Sequence, residues 1–566
     1  MNKGGYRIRQ NESTGGMAVV SRLFADLVPG EIRDGWRHDG WYKDQDIFTA
    51  FSAWAAYYPE RVAVIDESGP VGYRELHRRS LRLAAGLRAA GVRAGDVVAV
   101  NLPNGWRACA ADFALAALGA ISLPYPVGRK RRETLSLLRR SRAVAAIVTR
   151  YVGELDYVGL LAELRPELPA LKSVLVHGEV APGTQSLDAM CDSSHDAIPL
   201  GDLPEVSPDA PARIMASSGS EAEPKLVLYS HNALVSGQTP YLTTLGDAAD
   251  GTPPRFLFCV PLSSPFGSFG TPCILAAMGA SLVTLNRFEP DAVLDAVARH
   301  RPSHLLVSPA MLEQLVASPL LSGPDRIDTD SVTAIVCGGA NVHTDTVKRT
   351  QDSFDATFVH SYGSADGIAC HTALDDSFDD IVGSVGKPDP RVISVRIADD
   401  DGNDVGFGVA GELYARGPMT PLCYYNSPEL DERYRLDGGW TKTGDIAVLD
   451  ADGRLHVTGR KKDVINKGGV KVSVAELEEV LHQHPSVRSA AVLGMPDGPV
   501  GERIVACVVL HRDAAPLDLD LLRAYLRDEI GLETAKFPER LLTLAEFPLT
   551  PAGKVDKSQL RSAVSA

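Results

Sequence analysis

Short apolar runs alternating with helix-patterned stretches restrict the fold of this chain more than any other feature. Ala63-Val64-Ile65, 96–102 (DVVAVNL), 144–149 and 173–177 come first; 212–215, 226–229, 256–260, 281–285, 304–307 and 334–336 follow. Apolar and aromatic residues recur at helical spacing over 47–58, and further helical patterns cover 75–90 and the Ala-rich segment ending at Gly119. Continuous apolar strands joined by helices form parallel sheets of βαβ units, because such strands are buried on both faces. The runs up to 177 predict one sheet, and those from 256 to 336 a second of the same style. The stretch 188–211, rich in Asp, Ser and Pro, reads as a surface loop.

Beyond Val392 the texture changes to short alternating strands with turns at Asp401-Gly402, Asp437-Gly438 and Asp452-Gly453. That implies a small β subdomain closing the large body. After the polar joint 458–469 comes a compact α+β unit. The expected class is α/β: a large domain of two parallel-rich sheets with flanking helices plus a β subdomain, and a small mobile α+β C-terminal domain. Its boundaries are 1–38 for a tail and lead-in, 39–462 for the large domain and 463–566 for the small one. A chain of 566 residues is too long for a single core.

A net charge of −15 argues against general nucleic-acid binding. The eight cysteines are scattered without metal-site spacing and read as buried thiols. Residues 1–16 are polar with no apolar h-region, and no apolar run is long enough to span a membrane, so the expectation is a cytoplasmic protein with no membrane partner. The basic run 128–132 reads as a solvated helix end, with docking of an acidic partner or a phosphorylated cofactor as the second reading.

The densest chemistry is the stretch Ser217-Ser218-Gly219-Ser220-Glu221-Ala222-Glu223-Pro224-Lys225 between two strand-like runs. Small residues there expose backbone N–H groups, and the hydroxyls and lysine add donors suited to polyphosphate. It is not a Walker loop, which needs Gly-Lys-Ser/Thr opening a helix. Gly406-Phe407-Gly408-Val409-Ala410-Gly411 is formally G-x-G-x-x-G, but it precedes a strand-like run, so its glycines connect strands rather than hold a dinucleotide. In the joint, Arg460 can hold ribose or phosphate, Asp463 can pivot, and Gly468-Gly469 allow unusual backbone angles.

These stretches together resemble the adenylate-forming enzymes (acyl-CoA ligases, peptide-synthetase adenylation domains and luciferases). The loop resembles that family's pyrophosphate-binding loop in Ser218, Gly219, Ser220, Pro224 and Lys225, and departs from it at Glu221 and Ala222, where the family has Thr and Gly. Cys337-Gly338-Gly339-Ala340 resembles the segment beside adenine. Ser361-Tyr362-Gly363-Ser364-Ala365-Asp366 resembles the motif whose aromatic stacks on adenine and whose acid holds Mg²⁺, here with Asp366 in place of Glu. Thr443-Gly444-Asp445 resembles the ribose-binding motif, and Arg460 and Asp463 fall on the ribose-contacting Arg and the hinge Asp. Lys554 falls on the mobile catalytic lysine, which meets the substrate carboxylate and the α-phosphate. Gly468 and Gly469 fall on the face presented to the acceptor thiol.

Within that family the segments at 466–472 and 501–503 look most like stand-alone aryl-acid ligases of the dihydroxybenzoate type. That branch reads its substrate with a His-Asn pair, where this chain has Ser264 and Pro265, followed by Phe266. The resemblance implies ATP- and Mg²⁺-dependent adenylation of a carboxylic acid with release of pyrophosphate. Transfer to CoA or to the phosphopantetheine of a separate carrier protein follows, since the sequence ends soon after Lys554. Two alternatives stay open: adenylation of nitrite to diazotise an arylamine, and a non-catalytic nucleotide-binding protein.

Overall fold

The computed structural model describes residues 24–192, 196–217, 224–248, 251–322, 324, 326–339, 342–461, 464–467, 470–496, 502–550 and 554–565. Ser218, Gly219, Ser220, Glu221, Ala222, Ala340, Asp463, Gly468 and Gly469, and the tail 1–16, lie outside the described residues.

Two eight-stranded sheets dominate the large body. Ala334–Gly338, His304–Val307, Arg255–Phe258 and Ser281–Thr284 lie in the middle of one and run parallel to their neighbours; Thr357–Ser364 extends that parallel run, and an antiparallel strand closes each edge. In the other, Ile121–Pro124, Val97–Asn101, Ala145–Thr149 and Ser173–His177 are parallel, and the hairpin Pro211–Ala216 with Leu226–Ser230 adds at one side. Burial throughout the central strands is what their unbroken apolar runs require.

The sorting of strands between sheets departs from the order expected of the sequence. Val62–Asp66 pairs in parallel with Ser281–Thr284, so the first strand belongs to the second sheet. The helix Ile47–Tyr57 leads into that strand, and its N-cap Asp46 accepts from the backbone of Phe48 and Thr49. That helix lies between the two sheets' layers, with Phe51 stacked on Phe113 at 3.7 Å between ring centroids. The expected loop 188–211 opens inside the helix Leu187–Cys191, capped by Ser186. The lead-in to residue 38 holds the helix Gly30–His38, whose Arg33 and Arg37 both pair with Asp209 of the large body.

Ser394–Ala398, Gly411–Arg416, Thr441–Leu449 and Leu455–Arg460 form a four-stranded antiparallel sheet beside the large body. Gly411 opens a strand, as the reading of the glycine run required. Downstream, Val487–Pro496, Glu502–Leu510 and Arg540–Leu544 make a three-stranded sheet with the helices Val474–His482, Leu519–Asp528 and Lys557–Ser565. Its apolar clusters run from Ile465 to Phe537 and from Ala491 to Val564, and neither merges with the cores of the upstream sheets. No described helix is long and apolar enough to cross a membrane.

Candidate active site

The parallel strands Ala334–Gly338 and Thr357–Ser364 bring Gly338 opposite Ser361 in register. Crevices at the carboxyl ends of such strands are where α/β sheets bind ligands. A Cβ on Gly338 would lie 2.6 Å from the Ser361 carbonyl oxygen, so only glycine fits. Gly339 adopts φ +99°, and a Cβ there would meet Lys554 Cε at 3.1 Å. Lys554 of the C-terminal unit therefore lies over the Gly338-Gly339 turn of the large body. The Ser361 hydroxyl is hydrogen-bonded to the Tyr241 hydroxyl. Tyr241 in turn stacks on Phe269 and meets His371 edge-on.

Next to that turn, Asp445 and Arg460 are register partners on neighbouring antiparallel strands. Arg460 Nε donates to Asp445 Oδ1 at 3.0 Å, and the Tyr362 hydroxyl donates to Oδ2 at 2.5 Å. Burial raises the Asp445 carboxyl above the usual carboxylate range, against the opposing charge of Arg460, and burial also lifts the Tyr362 phenol well above its ordinary value. Burial is likewise the first cause that pushes Lys554 down, to about 8, with repulsion from Arg460 adding to it and Asp445 opposing it. Among the described residues the Lys554 ammonium has no ion-pair partner. A poorly solvated cation beside a carboxylate–arginine pair is an arrangement whose chemistry suits an anionic ligand.

The loop 218–223 is carried by the hairpin Pro211–Ala216 with Leu226–Ser230. Ser217 and Lys225 close its neck: Ser217 N donates to the Lys225 carbonyl, and Lys225 N donates to Ser217 Oγ, both at 3.0 Å. Lys225 Nζ lies 3.1 Å from Asp366 Oδ1, and both side chains are buried. Asp366 Oδ1 also accepts from the Tyr424 hydroxyl at 2.6 Å, and Oδ2 accepts from Ser364 Oγ at 3.0 Å. Among the described residues no cluster of three or more His, Cys, Asp or Glu side chains could hold a metal ion. A lone carboxylate suits magnesium carried in with phosphates, which keeps most of its waters and takes one or two protein carboxylates.

The stretch at Ser264 is organised by its own backbone. Ser264 Oγ donates to the Pro261 carbonyl at 2.7 Å and accepts from Gly267 N at 3.1 Å, so its hydroxyl is spent on a local turn. Pro265 has no side-chain donor, and its carbonyl accepts from Ser268 Oγ. Phe266 packs half-buried against the main core. Sequence reading overlooked Tyr241, Tyr424 and Tyr434. A signal for the last two was present: Tyr424, Tyr425 and Tyr434 crowd a short segment around Pro428 with no strand or helix period of their own.

The chain matches the family model for AMP-binding enzymes over residues 51–425, and that for the AMP-binding enzyme C-terminal domain over 476–554. It is 32% identical over 558 residues to the 2,3-dihydroxybenzoate-AMP ligase of Bacillus subtilis, covering 95% of this chain and 97% of that protein. It is 31% identical over 547 residues to the 2-hydroxy-7-methoxy-5-methyl-1-naphthoate–CoA ligase of Streptomyces carzinostaticus, covering 94% and 96% respectively. The solved amide bond synthetase McbA from Marinactinospora thermotolerans superposes with a TM-score of 0.78 at 31% identity, over 92% of this chain and 99% of that one.

Proposed function

Because the chain belongs to the AMP-binding enzyme family, we propose that it activates an aromatic carboxylic acid as its acyl-adenylate and passes the acyl group to a thiol. The observation that carries this reading is the convergence of Lys554, from the C-terminal unit, with Gly339, Asp445 and Arg460 of the large body. In the first step the acid's carboxylate oxygen attacks the α-phosphorus of ATP. A new P–O bond forms, the α–β bridging P–O bond breaks, and its electron pair leaves with pyrophosphate.

Asp445 accepts the ribose hydroxyls, and Arg460 and Tyr362 hold that carboxylate in place. Gly338 and Gly339 let the turn approach Ser361 and Lys554 where any side chain would intrude, and their backbone faces the nucleotide. The Lys554 and Lys225 ammonium groups stabilise the charge that grows on the equatorial oxygens, an electrostatic task that requires both to be protonated. Asp366 would hold Mg²⁺, which offsets phosphate charge when bound. Ser218, Gly219 and Ser220 complete the pyrophosphate contacts. In the second step the acceptor sulfur attacks the acyl carbon and AMP leaves. Rotation about Asp463 exchanges Lys554 for the face carrying Gly468 and Gly469.

Aromatic acids are favoured because relatives similar along nearly the whole chain are named for a dihydroxybenzoate and a naphthoate. Ser264 and Pro265 offer no free side-chain donor, so recognition of an ortho-hydroxyl is not expected from them. CoA, or the phosphopantetheine of a separate carrier protein, is the acceptor on this reading. Nitrite activation and a non-catalytic role are not favoured by these relatives. The test is pyrophosphate release against aromatic, aliphatic and amino acids, with nitrite plus arylamines as a further arm, followed by thioester formation with CoA or a phosphopantetheinylated carrier. Release with aromatic acids and thioester product is expected. Release with nitrite plus an arylamine alone, or with no acid, would overturn the reading.

A further inference from the structure

Lys225 and Asp366 stand in an aromatic enclosure supplied by one short stretch of chain. Lys225 Nζ lies 3.9 Å from the ring centroid of Tyr434 and 5.3 Å from that of Tyr424. The Tyr424 hydroxyl and Lys225 Nζ both converge on Oδ1 of Asp366, at 2.6 and 3.1 Å, while Oδ2 has the Ser364 hydroxyl at 3.0 Å. The enclosure is itself fixed from behind. Tyr424 pairs with Val227 at the edge of the sheet, and its backbone N–H donates to Asp431 Oδ1 at 2.9 Å. Tyr434 ends the helix Pro428–Tyr434, and the next residue, Arg435, is buried and hydrogen-bonded to Thr441 and to the Pro421 carbonyl.

A buried lysine–aspartate pair brings two groups that must later serve a charged ligand, and left to themselves they would satisfy each other. A hydrogen bond to one carboxylate oxygen fixes which face of the carboxylate is spent. A ring face against the ammonium offsets part of its desolvation without supplying a competing negative charge. We propose that Tyr424 and Tyr434 are positioning residues for the adenylation step. Tyr424 commits Oδ1 of Asp366 to the protein and so leaves Oδ2, on which the Ser364 hydroxyl takes one lone pair, to offer the other to magnesium, and Tyr434 supports the Lys225 ammonium for the phosphates. Resting on the adenylation reading above, this assigns part of the metal requirement to a hydroxyl that acts through Asp366. The arrangement matters more with Asp at 366 than it would with Glu, because the shorter side chain has fewer torsions by which to recover a lost orientation.

The test is calorimetry on the full-length protein and its Tyr424→Phe variant, titrating AMP without metal, and ATP across a series of Mg²⁺ concentrations. A lost hydrogen bond to a charged group predicts that the variant needs about tenfold more Mg²⁺ for half-maximal ATP binding. AMP binding, which uses Asp445 and Tyr362, should stay unchanged. Equal weakening of AMP and ATP would indicate a merely structural tyrosine and overturn the proposal, as would an unaltered Mg²⁺ requirement. If Tyr424→Phe does not fold, Tyr434→Leu takes its place. Loss of the ring face predicts about fivefold weaker binding of ATP with Mg²⁺ at constant AMP affinity, and parallel loss or no change overturns the proposal. Failure of the wild type to bind ATP with Mg²⁺ would overturn the adenylation reading and this proposal together, whereas normal wild-type binding with unaltered variants overturns this proposal alone.

Discussion

The imidazole rings of His343 and His482 meet with centroids 3.7 Å apart, one from each side of the contact between the large body and the C-terminal unit. His343 is the N-cap residue of the helix Thr344–Phe354, and His482 ends the helix Val474–His482. Burial lowers both, His482 to about 3 with repulsion from His343 adding to it; Asp345 opposes the shift at His343. His482 Nε2 accepts from Ala490 N, which requires that nitrogen to be unprotonated.

The contact is therefore made by two neutral rings, and protonating either would put an unpaired charge into it. The ordinary value of a histidine is 6.5 and both are lowered from it, so the contact is at full strength above that pH and loses strength as pH falls from there toward about 3. Adenylation, which needs the contact, should show an acid limb below neutrality. His482→Gln should shift or flatten it. Initial rates of pyrophosphate release from pH 5 to 8 check this, and an identical limb in the variant would rule out the pair as its source.

Lys554 sets the opposite limb. Its lowered value of about 8 means that the ammonium is held below that pH and lost above it. The second-order rate for adenylation should fall about tenfold per pH unit beyond that point, since each unit removes that much of the protonated form. Lys554→Arg stays charged and should extend the plateau, although with a lower maximum. Lys554→Ala should abolish adenylation while leaving ATP binding largely intact. Pyrophosphate release equal to that of the wild type would remove Lys554 from the mechanism.

Asp445 carries two hydrogen bonds, from Tyr362 and Arg460, and is buried. Asp445→Asn should weaken AMP binding by about 10- to 100-fold, the cost of a charge-assisted hydrogen bond. Tyr362→Phe should do less, because Arg460 still holds the carboxylate. Calorimetric titration of AMP distinguishes the two, and equal affinity in all three proteins would place the ribose elsewhere.

Away from the site, Arg213 and Asp112 form a buried pair at 2.9 Å, with the Ser122 hydroxyl on Asp112 and the Leu262 carbonyl on Arg213. Removing one partner strands the other charge, so Asp112→Ala should cost about 3–5 kcal/mol. Replacing Arg131, which pairs with Glu163 and Glu167 on the surface, should leave the unfolding midpoint where it is. Urea denaturation of both variants checks the contrast.

The basic run at 128–132 resolves in these terms. Arg129 pairs with Glu133, and Arg131 with two further glutamates, as a solvated helix end does.

The strands and helices were legible in the sequence because burial on both faces writes an unbroken apolar run, and most such runs became strands to within a residue or two. Lys225, Asp366, Asp445, Arg460 and Lys554 stood out in the sequence through the resemblance of their motifs to those of the adenylate-forming enzymes, and the structure brings Lys225 to Asp366 and sets Lys554 beside Asp445 and Arg460. What the sequence alone determined is thus local: element type, and the kinds of groups available. Tertiary structure decided which groups meet. The first strand's place beside Ser281–Thr284, the closure of Lys554 onto Gly339 and the meeting of His343 with His482 join residues far apart in the chain. Such contacts depend on shape and packing between elements, which no local pattern encodes. Tyr424 makes the point most directly: the sequence shows it only as one of three tyrosines crowded around Pro428, and the fold alone brings its hydroxyl to Asp366.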